Sequence, residues 1–303
     1  MKKVLLSLLT IALAFTALAP AQAQDQRVLA IIDTAINSNN FPQIIHEVCF
    51  TTVKSSNPAQ NMSCPNGELF MEGKGAASAP WPLQRNSTNF DVNNATFHGD
   101  SMVKSALTVN PNLKIVFVRF NDVNSLGNSL GRPAALIAAI DWVSKNASKY
   151  SIDAVSISQS GVHTDIRTRV KTLHPECNSQ VTTNAVSALS ANNIPTFAAT
   201  GNDGLSTLVG FPACIPGVIG VGALGNATQL ERTTNTGAGL DMVASGRVSI
   251  TKYNGSTTDT AGTSVATAVS SASYVNRNTH RTFGEYLLSL PKIVIGSASY
   301  IRN

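Results

Sequence analysis

The chain has 303 residues, of which 43% are hydrophobic and 13% are charged, and its formal net charge is +5. This composition provides enough apolar material for a sizeable core and too little charge for a disordered chain. Two of the 22 basic residues and none of the 17 acidic ones lie within the first 23 residues, so the rest of the chain carries a net charge of +3. This charge is too small to predict nucleic-acid binding.

Residues 1–23 have the pattern of a secretory signal peptide. Lys2 and Lys3 precede an apolar run over residues 4–18, and the small-residue motif Ala21-Gln22-Ala23 follows it. The alternative is a membrane anchor, which fits less well because the run is short for a bilayer span and no charged residue ends it. We expect export to the periplasm or the medium, with no stable membrane insertion once the signal peptide is removed.

The remaining residues, 24–303, contain no linker-like stretch and predict one domain. Their four cysteines form an even set, which favours disulfides over thiols in an exported chain. The sequence alone allows three pairings, and we favour the nearest neighbours, Cys49 with Cys64 and Cys177 with Cys214. The alternative is a zinc site at His174 and Cys177, but two further ligands would be needed. No metal site is therefore predicted.

Short apolar runs alternate with stretches of helical spacing along this domain. The predicted strands cover residues 28–32, 48–53, 115–118, 154–157, 194–199 and 218–221. The predicted helices cover residues 102–108, 133–148, 181–192 and 264–275. Apolar strands that alternate with helices indicate an α/β fold with a mainly parallel sheet, buried on both faces. Residues 54–97 are rich in Ser, Asn, Pro and Gly and predict a long irregular insertion.

Two polar residues stand at the ends of predicted elements. The strand over 28–32 runs into Asp33, and catalytic groups gather at the carboxyl ends of parallel strands. An aspartate there can also simply begin a turn. His98 stands at the entrance of the helix that follows, where it could act as a base, although a lone histidine is more often structural.

Two later segments add a donor and a nucleophile. Gly201-Asn202-Asp203-Gly204 follows an apolar strand, and it forms either a plain turn or a site where the Asn202 amide donates to developing negative charge. Ser264 follows Gly262-Thr263 at the start of a helix of small residues. It is either a helix cap or a nucleophile at a position where backbone N–H groups favour an anion.

These four residues occur in the chain order Asp33, His98, Asn202, Ser264. The order Asp, His, Ser differs from that of α/β-hydrolases and of chymotrypsin-like proteases, and it is the order of subtilisin. A lipase or esterase of another fold is disfavoured, because residues 262–266 lack the second glycine of the nucleophile elbow.

The sequence resembles the subtilisin-like serine proteases, or subtilases, in four blocks. These are Ile31-Ile32-Asp33-Thr34, His98-Gly99, Ala198-Ala199-Thr200-Gly201-Asn202 and Gly262-Thr263-Ser264-Val265-Ala266. The resemblance implies a single-domain three-layer α/β fold with a mainly parallel central sheet flanked by helices. The chain departs from the family pattern at Ala35, at Asp100-Ser101 and at Ala268-Val269, where Gly, Thr-His and Pro-His are usual. Asp33 follows the signal peptide so closely that we expect a divergent member without an N-terminal propeptide.

The resemblance also implies a reaction, the hydrolysis of peptide bonds through an acyl-enzyme. Asp33, His98 and Ser264 would be the catalytic residues, and Asn202 would form the oxyanion hole. An extended substrate would lie along a wall formed by Ser158, Gln159, Ser160 and Gly161. The opposite wall would be formed by Ala199, Thr200 and Gly201. Asp100 would raise the pKa of His98 if it faces the site.

The expected partners are protein or peptide substrates, with no nucleic acid, and we expect a monomer. No cofactor is identified. Relatives hold calcium on loops, but no acidic loop pattern assigns ligands for calcium here. The alternative function is a catalytically inactive subtilase-fold binding protein, because the departures mark a divergent member.

Overall fold

The computed structural model describes residues 27–56, 63–78, 98–123, 129–252, 255–277, 282–295 and 298–303. The predicted signal peptide and much of the predicted insertion lie outside these residues. Within them, no helix combines the length and the apolar character that a membrane span requires.

The described residues form sixteen strands and five α-helices. The strands are β1 (Val28–Asp33), β2 (Ile44–Phe50), β3 (Phe70–Glu72), β4 (Lys114–Arg119), β5 (Asn121–Val123), β6 (Ser129–Gly131), β7 (Ile152–Ile157), β8 (His163–Thr164), β9 (Lys171–Thr172), β10 (Thr196–Ala199), β11 (Val218–Leu224), β12 (Met242–Ser245), β13 (Arg247–Thr251), β14 (Thr257–Ala261), β15 (Lys292–Ile295) and β16 (Ala298–Arg302). The helices are α1 (His98–Val109), α2 (Pro133–Tyr150), α3 (Gln180–Ala191), α4 (Thr263–Asn276) and α5 (Phe283–Ser289).

Ten strands build the central sheet in the order β15-β16-β12-β11-β10-β7-β1-β4-β2-β3. Neighbouring strands are parallel except at the two edges, where β15 pairs with β16 and β2 pairs with β3 in antiparallel fashion. The remaining strands form three small antiparallel hairpins. The prediction of a mainly parallel sheet is confirmed.

Apolar side chains cover both faces of this sheet, as the continuous apolar runs predict. In β1, Ala30 and Ile32 pack in a cluster that includes Ile140 of α2. Leu29 and Ile31 point to the opposite face and pack in a second cluster, which includes Ala106 of α1 and Ala272 of α4. Helices therefore lie on both faces of the sheet, which is the predicted three-layer α/β fold.

Two predicted elements differ from the structure at the β2 edge. The strand predicted over 48–53 is β2, which runs from Ile44 to Phe50 and includes the buried Glu47. Its carboxylate accepts hydrogen bonds from Gly75 N at 2.9 Å and Ala77 N at 3.2 Å, which satisfies the buried charge. The second difference is β3, a strand within the segment predicted to be irregular, whose three residues are too few to show a pattern.

Both favoured disulfides are present. Cys49 bonds to Cys64 with a Cα–Cα distance of 5.8 Å, and Cys177 bonds to Cys214 with a Cα–Cα distance of 5.5 Å. The first ties β2 to the segment that precedes β3, and the second ties the chain before α3 to the loop before β11. The nearest-neighbour pairing is therefore confirmed.

Three adjacent strands bring the candidate residues to one edge of the sheet. Because β10, β7 and β1 are neighbours and parallel, their carboxyl ends lie side by side. Asp33 ends β1, Ser158 follows β7 and Thr200 follows β10. This edge carries the candidate site.

Candidate active site

Asp33 and His98 form the central contact of the site. Asp33 is fully buried, and its Oδ1 accepts a hydrogen bond from His98 Nδ1 at 2.7 Å and from Thr34 N at 2.6 Å. The His98 side chain remains 38% exposed. The carboxylate therefore holds one ring nitrogen and leaves Nε2 as the nitrogen that can accept a proton.

The start of α1 fits closely against the end of β1. Gly99 N donates a hydrogen bond to Thr34 Oγ1 at 2.9 Å, which satisfies one of the free N–H groups at the helix start. A Cβ on Gly99 would lie 2.8 Å from Thr34 O and 2.9 Å from Ala35 O. Only glycine allows this approach, which explains why it follows His98 in the sequence.

The environment of His98 favours its protonated form. Burial lowers the pKa of the ring, but the charge of Asp33 and its hydrogen bond raise it, so the pKa of His98 lies above its ordinary value. The hypothesis that Asp100 contributes is wrong, since its buried carboxylate accepts a hydrogen bond from Asn37 N at 2.9 Å and acts electrostatically on Lys104.

Ser264 is the second residue of α4 and is half-buried. Its Oγ donates a hydrogen bond to Ser158 O at 2.9 Å, and Ser158 Oγ donates to Ser264 O at 2.9 Å. These reciprocal bonds fix the start of α4 to the carboxyl end of β7. In the described arrangement the Ser264 hydroxyl is bonded to this carbonyl and not to His98. The Ser264 N–H, in the first turn of the helix, has no intrahelical partner.

Asn202 lies against the same helix start. Its Oδ1 accepts hydrogen bonds from Thr263 N at 3.0 Å and from Thr263 Oγ1 at 3.1 Å. Gly262 has a φ of +123°, and a Cβ there would lie 3.0 Å from Asn202 Oδ1, so glycine permits the contact. With its oxygen held by α4, the exposed side chain keeps its NH₂ group as the available donor.

Asn235 is a supporting residue to which the sequence reasoning assigned no role in the site. It is fully buried, and its Oδ1 accepts hydrogen bonds from Asp203 N at 2.9 Å and Leu205 N at 3.1 Å. Its backbone N–H donates to Gly201 O at 2.8 Å. Asn235 thereby fixes the loop that carries Asn202. Its position directly before Thr236-Gly237 is a turn signal but identifies no partner.

The two segments expected to bind substrate face one another beside these residues. Ala199, Thr200 and Gly201 are buried. Gly161 exchanges both of its backbone hydrogen bonds with Phe211, at 3.0 and 2.7 Å, so these groups serve the scaffold and are not open to a substrate strand. The exposed Ser160 turns its hydroxyl toward Gly201 and Gly210, where added Cβ atoms would lie 2.8 and 1.9 Å from its Oγ.

The Gln159 side chain turns toward the dyad, the hydrogen-bonded pair of Asp33 and His98. Its Nε2 lies 3.3 Å from Asp33 Oδ1 and 3.2 Å from His98 Nδ1. Sequence reasoning placed this residue in a substrate wall and gave no sign of a contact with Asp33, from which it is separated by 126 positions.

No metal-binding cluster of three or more His, Cys, Asp or Glu side chains occurs in the described ranges. The calcium expectation therefore stays an inference from resemblance.

Comparison with known proteins identifies a family. The model of the subtilase family, Peptidase_S8, matches residues 86–275. This span contains His98, Asn202 and Ser264 but begins after Asp33. Subtilisin DY of Bacillus licheniformis is 29% identical over 201 residues, which cover 65% of this chain and 61% of that relative. The chain thus matches less than two thirds of the relative's length.

Solved structures of low sequence identity share the fold. A cold-adapted subtilisin-like serine proteinase has a TM-score of 0.55 and 20% identity, covering 84% of this chain and 77% of that chain. A lanthipeptide protease has a TM-score of 0.56 and 14% identity, covering 86% and 76%. A protease of Pseudoalteromonas arctica PAMC 21717 has a TM-score of 0.58 and 18% identity, covering 82% and 76%.

Replacing Asp33 tests the electrostatic coupling of the dyad. In Asp33→Asn the pKa of His98 is expected to fall, because the negative charge that raises it is gone while burial, which lowers it, remains. Imidazole resonances followed by NMR over a pH titration give the value. His46, held by Glu72 and Tyr150 away from the site, serves as the reference in the same spectra. An unchanged or higher pKa of His98 in the variant would contradict the coupling.

Proposed function

Because the chain belongs to the subtilase family, a family of serine-type peptidases, we propose that it is an exported serine endopeptidase with Asp33, His98 and Ser264 as its triad. The observation that carries this proposal is the 2.7 Å contact between Asp33 Oδ1 and His98 Nδ1. The placement of Ser264 at the start of α4 and of Asn202 against that helix supports the remaining roles.

In the first step, the Ser264 hydroxyl exchanges its hydrogen bond to Ser158 O for one to His98. In the described arrangement it donates to Ser158 O, a carbonyl that an extended substrate could engage with a backbone N–H. A substrate that takes this acceptor releases the hydroxyl, which turns about χ1 toward His98 Nε2. Hydrogen bonds of this kind are often completed only in the substrate complex.

Proton transfer and attack then follow the triad chemistry. His98 accepts the proton of Ser264 as Oγ attacks the peptide carbonyl, and Asp33 stabilises the imidazolium that forms. The Asn202 NH₂ group and the Ser264 N–H stabilise the oxyanion. His98 gives its proton to the leaving amine, and water hydrolyses the acyl-enzyme. Because a protonated ring cannot accept a proton, activity falls as the pH drops through the pKa of His98, which lies above its ordinary value.

Three of the departures from the family pattern, Asp100, Ala268 and Val269, lie in packing positions. Asp100 is buried and hydrogen-bonded to Asn37. Ala268 is buried in a small cluster with Met102 and Val265, and Val269 packs against it. These contacts join α1 to α4, so the replacements support the mutual placement of the two helices that carry His98 and Ser264.

Substrate preference in this proposal follows from Ser160. Its hydroxyl lies against Gly201 and Gly210, and the proposal places it in the pocket that receives the substrate side chain before the cleaved bond. We therefore propose protein or peptide substrates with small residues at the position before the cleaved bond, bound by a monomeric enzyme for which the described residues identify no cofactor. The two disulfides fit an oxidising compartment and support export to the periplasm or the medium.

A fluorophosphonate probe tests the peptidase proposal directly. The full chain is expected to be labelled at Ser264, since the probe reacts with an activated serine, and Ser264→Ala is expected to abolish labelling. Ser190→Ala, an exposed serine of α3, is the control and should label like the unaltered chain. A folded chain that takes up no label and cleaves no casein would contradict the proposal and favour the inactive binding protein.

The preference for small residues is tested with Ser160→Gly. Removing the hydroxymethyl group enlarges the pocket, so kcat/KM for peptides with Phe before the cleaved bond should rise relative to Ala peptides by roughly tenfold or more. Matched peptide series that differ only at this position provide the measurement. An unchanged ratio of the two kcat/KM values would show that Ser160 does not limit the pocket.

A further inference from the structure

We propose that Gln159 is a positioning residue of the dyad, whose side-chain amide donates to Asp33 beside His98 and favours the neutral form of the imidazole. This inference rests on the proposed function of the site. It differs from the role in the substrate wall that the sequence assigned to Gln159, because the amide acts on the dyad itself.

The contacts of the Asp33 carboxylate carry the inference. Three donors converge on Oδ1, namely Thr34 N at 2.6 Å, His98 Nδ1 at 2.7 Å and Gln159 Nε2 at 3.3 Å. The other oxygen, Oδ2, is buried and has no hydrogen-bond partner among the described residues. The negative charge of Asp33 is therefore shared at a single atom among the Thr34 N–H, the imidazole and the Gln159 amide.

The protonation state of the ring determines what the amide can do. When His98 Nδ1 carries the hydrogen donated to Asp33, it has no lone pair in the ring plane for a second donor. The Gln159 amide then donates to Asp33 alone, and its positive end lies 3.2 Å from a ring nitrogen. This arrangement neutralises part of the carboxylate charge and disfavours a positive charge on the ring.

The effect opposes that of Asp33. The carboxylate favours the imidazolium, whereas the amide favours the neutral ring that can accept a proton from Ser264. Gln159 thus extends the pH range of the base toward acid without removing the carboxylate that orients it.

Other charged groups near this edge have separate partners. Asp100, on the same helix as His98, is bonded to Asn37 N. Asp203, on the loop of Asn202, pairs with Lys171. Among the charged groups of the described residues, Asp33 is therefore the one that acts on His98, and Gln159 shares its Oδ1.

The sequence position of Gln159 links three parts of the site. On one side, the carbonyl oxygen of Ser158 accepts a hydrogen bond from the Ser264 hydroxyl. On the other side, Ser160 lies in the proposed pocket. A substrate that pairs with Ser158 O would therefore bind directly beside the residue whose amide contacts Asp33.

Two variants of the full chain test the proposal. Gln159→Met keeps the length of the side chain and removes the amide, and Gln159→Glu keeps the shape and adds a negative charge. The midpoint of the His98 imidazole titration, measured by NMR with His46 as reference, should move to higher pH in Gln159→Met and further in Gln159→Glu. Because Gln159 is partly exposed, both chains are expected to fold, which circular dichroism verifies.

The pH profile of kcat/KM separates positioning from substrate contact. In Gln159→Met the loss should be confined to the acid limb, where kcat/KM falls roughly three- to tenfold, the effect of one hydrogen bond. A residue that only contacts substrate would change kcat/KM equally at every pH. A His98 midpoint that stays in place or falls in both variants would overturn the proposal.

The NMR titration needs no catalytic turnover, so the two hypotheses fail separately. A shifted midpoint in a chain that cleaves nothing would refute the peptidase function and leave the Gln159 contact established. An unshifted midpoint in an active enzyme would refute only the role of Gln159.

Discussion

The hydrogen bond between Asp33 and His98 joins the last residue of a buried strand to the first residue of a helix, and the rest of the site is arranged around it. It requires α1 to begin in contact with the carboxyl end of β1, which Gly99 permits and the Thr34 hydroxyl secures. A buried carboxylate needs donors to offset its desolvation, and the imidazole is one of them. The stability of Asp33 in the core and the placement of the base thus have the same origin.

Hydrogen bonds of the same type fix α4, the helix that carries Ser264. Ser158 and Ser264 exchange two hydrogen bonds between β7 and α4, and Asn202 accepts two from Thr263 at the start of that helix. The Asn235 side chain fixes the loop of Asn202 by accepting hydrogen bonds from Asp203 N and Leu205 N. The parallel order of β10, β7 and β1 provides neighbouring strand ends, and these short side chains convert that proximity into defined positions.

The features that the sequence predicted are those with local signals. Apolar runs marked most strands of the sheet, an apolar run that ends in a carboxylate marked Asp33, glycine-containing blocks marked His98, Asn202 and Ser264, and cysteine spacing favoured both disulfides. Contacts between distant segments leave no such local signal. The contact of Gln159 with Asp33 is one example. The backbone hydrogen bonds between Phe211 and Gly161, and the support that Asn235 gives to the loop of Asn202, are two others. The predicted strand over 48–53 left out Glu47, because the backbone donors that satisfy its buried carboxylate lie about thirty positions away.

The central claim is that His98, held by Asp33, is the base that activates Ser264. Its most direct measurement compares two titrations of the same chain, the NMR titration of the His98 imidazole and the pH dependence of the rate at which a fluorophosphonate labels Ser264. The two midpoints should coincide, with labelling rising as the ring loses its proton. A labelling rate that does not follow the ionisation of His98 would contradict the account.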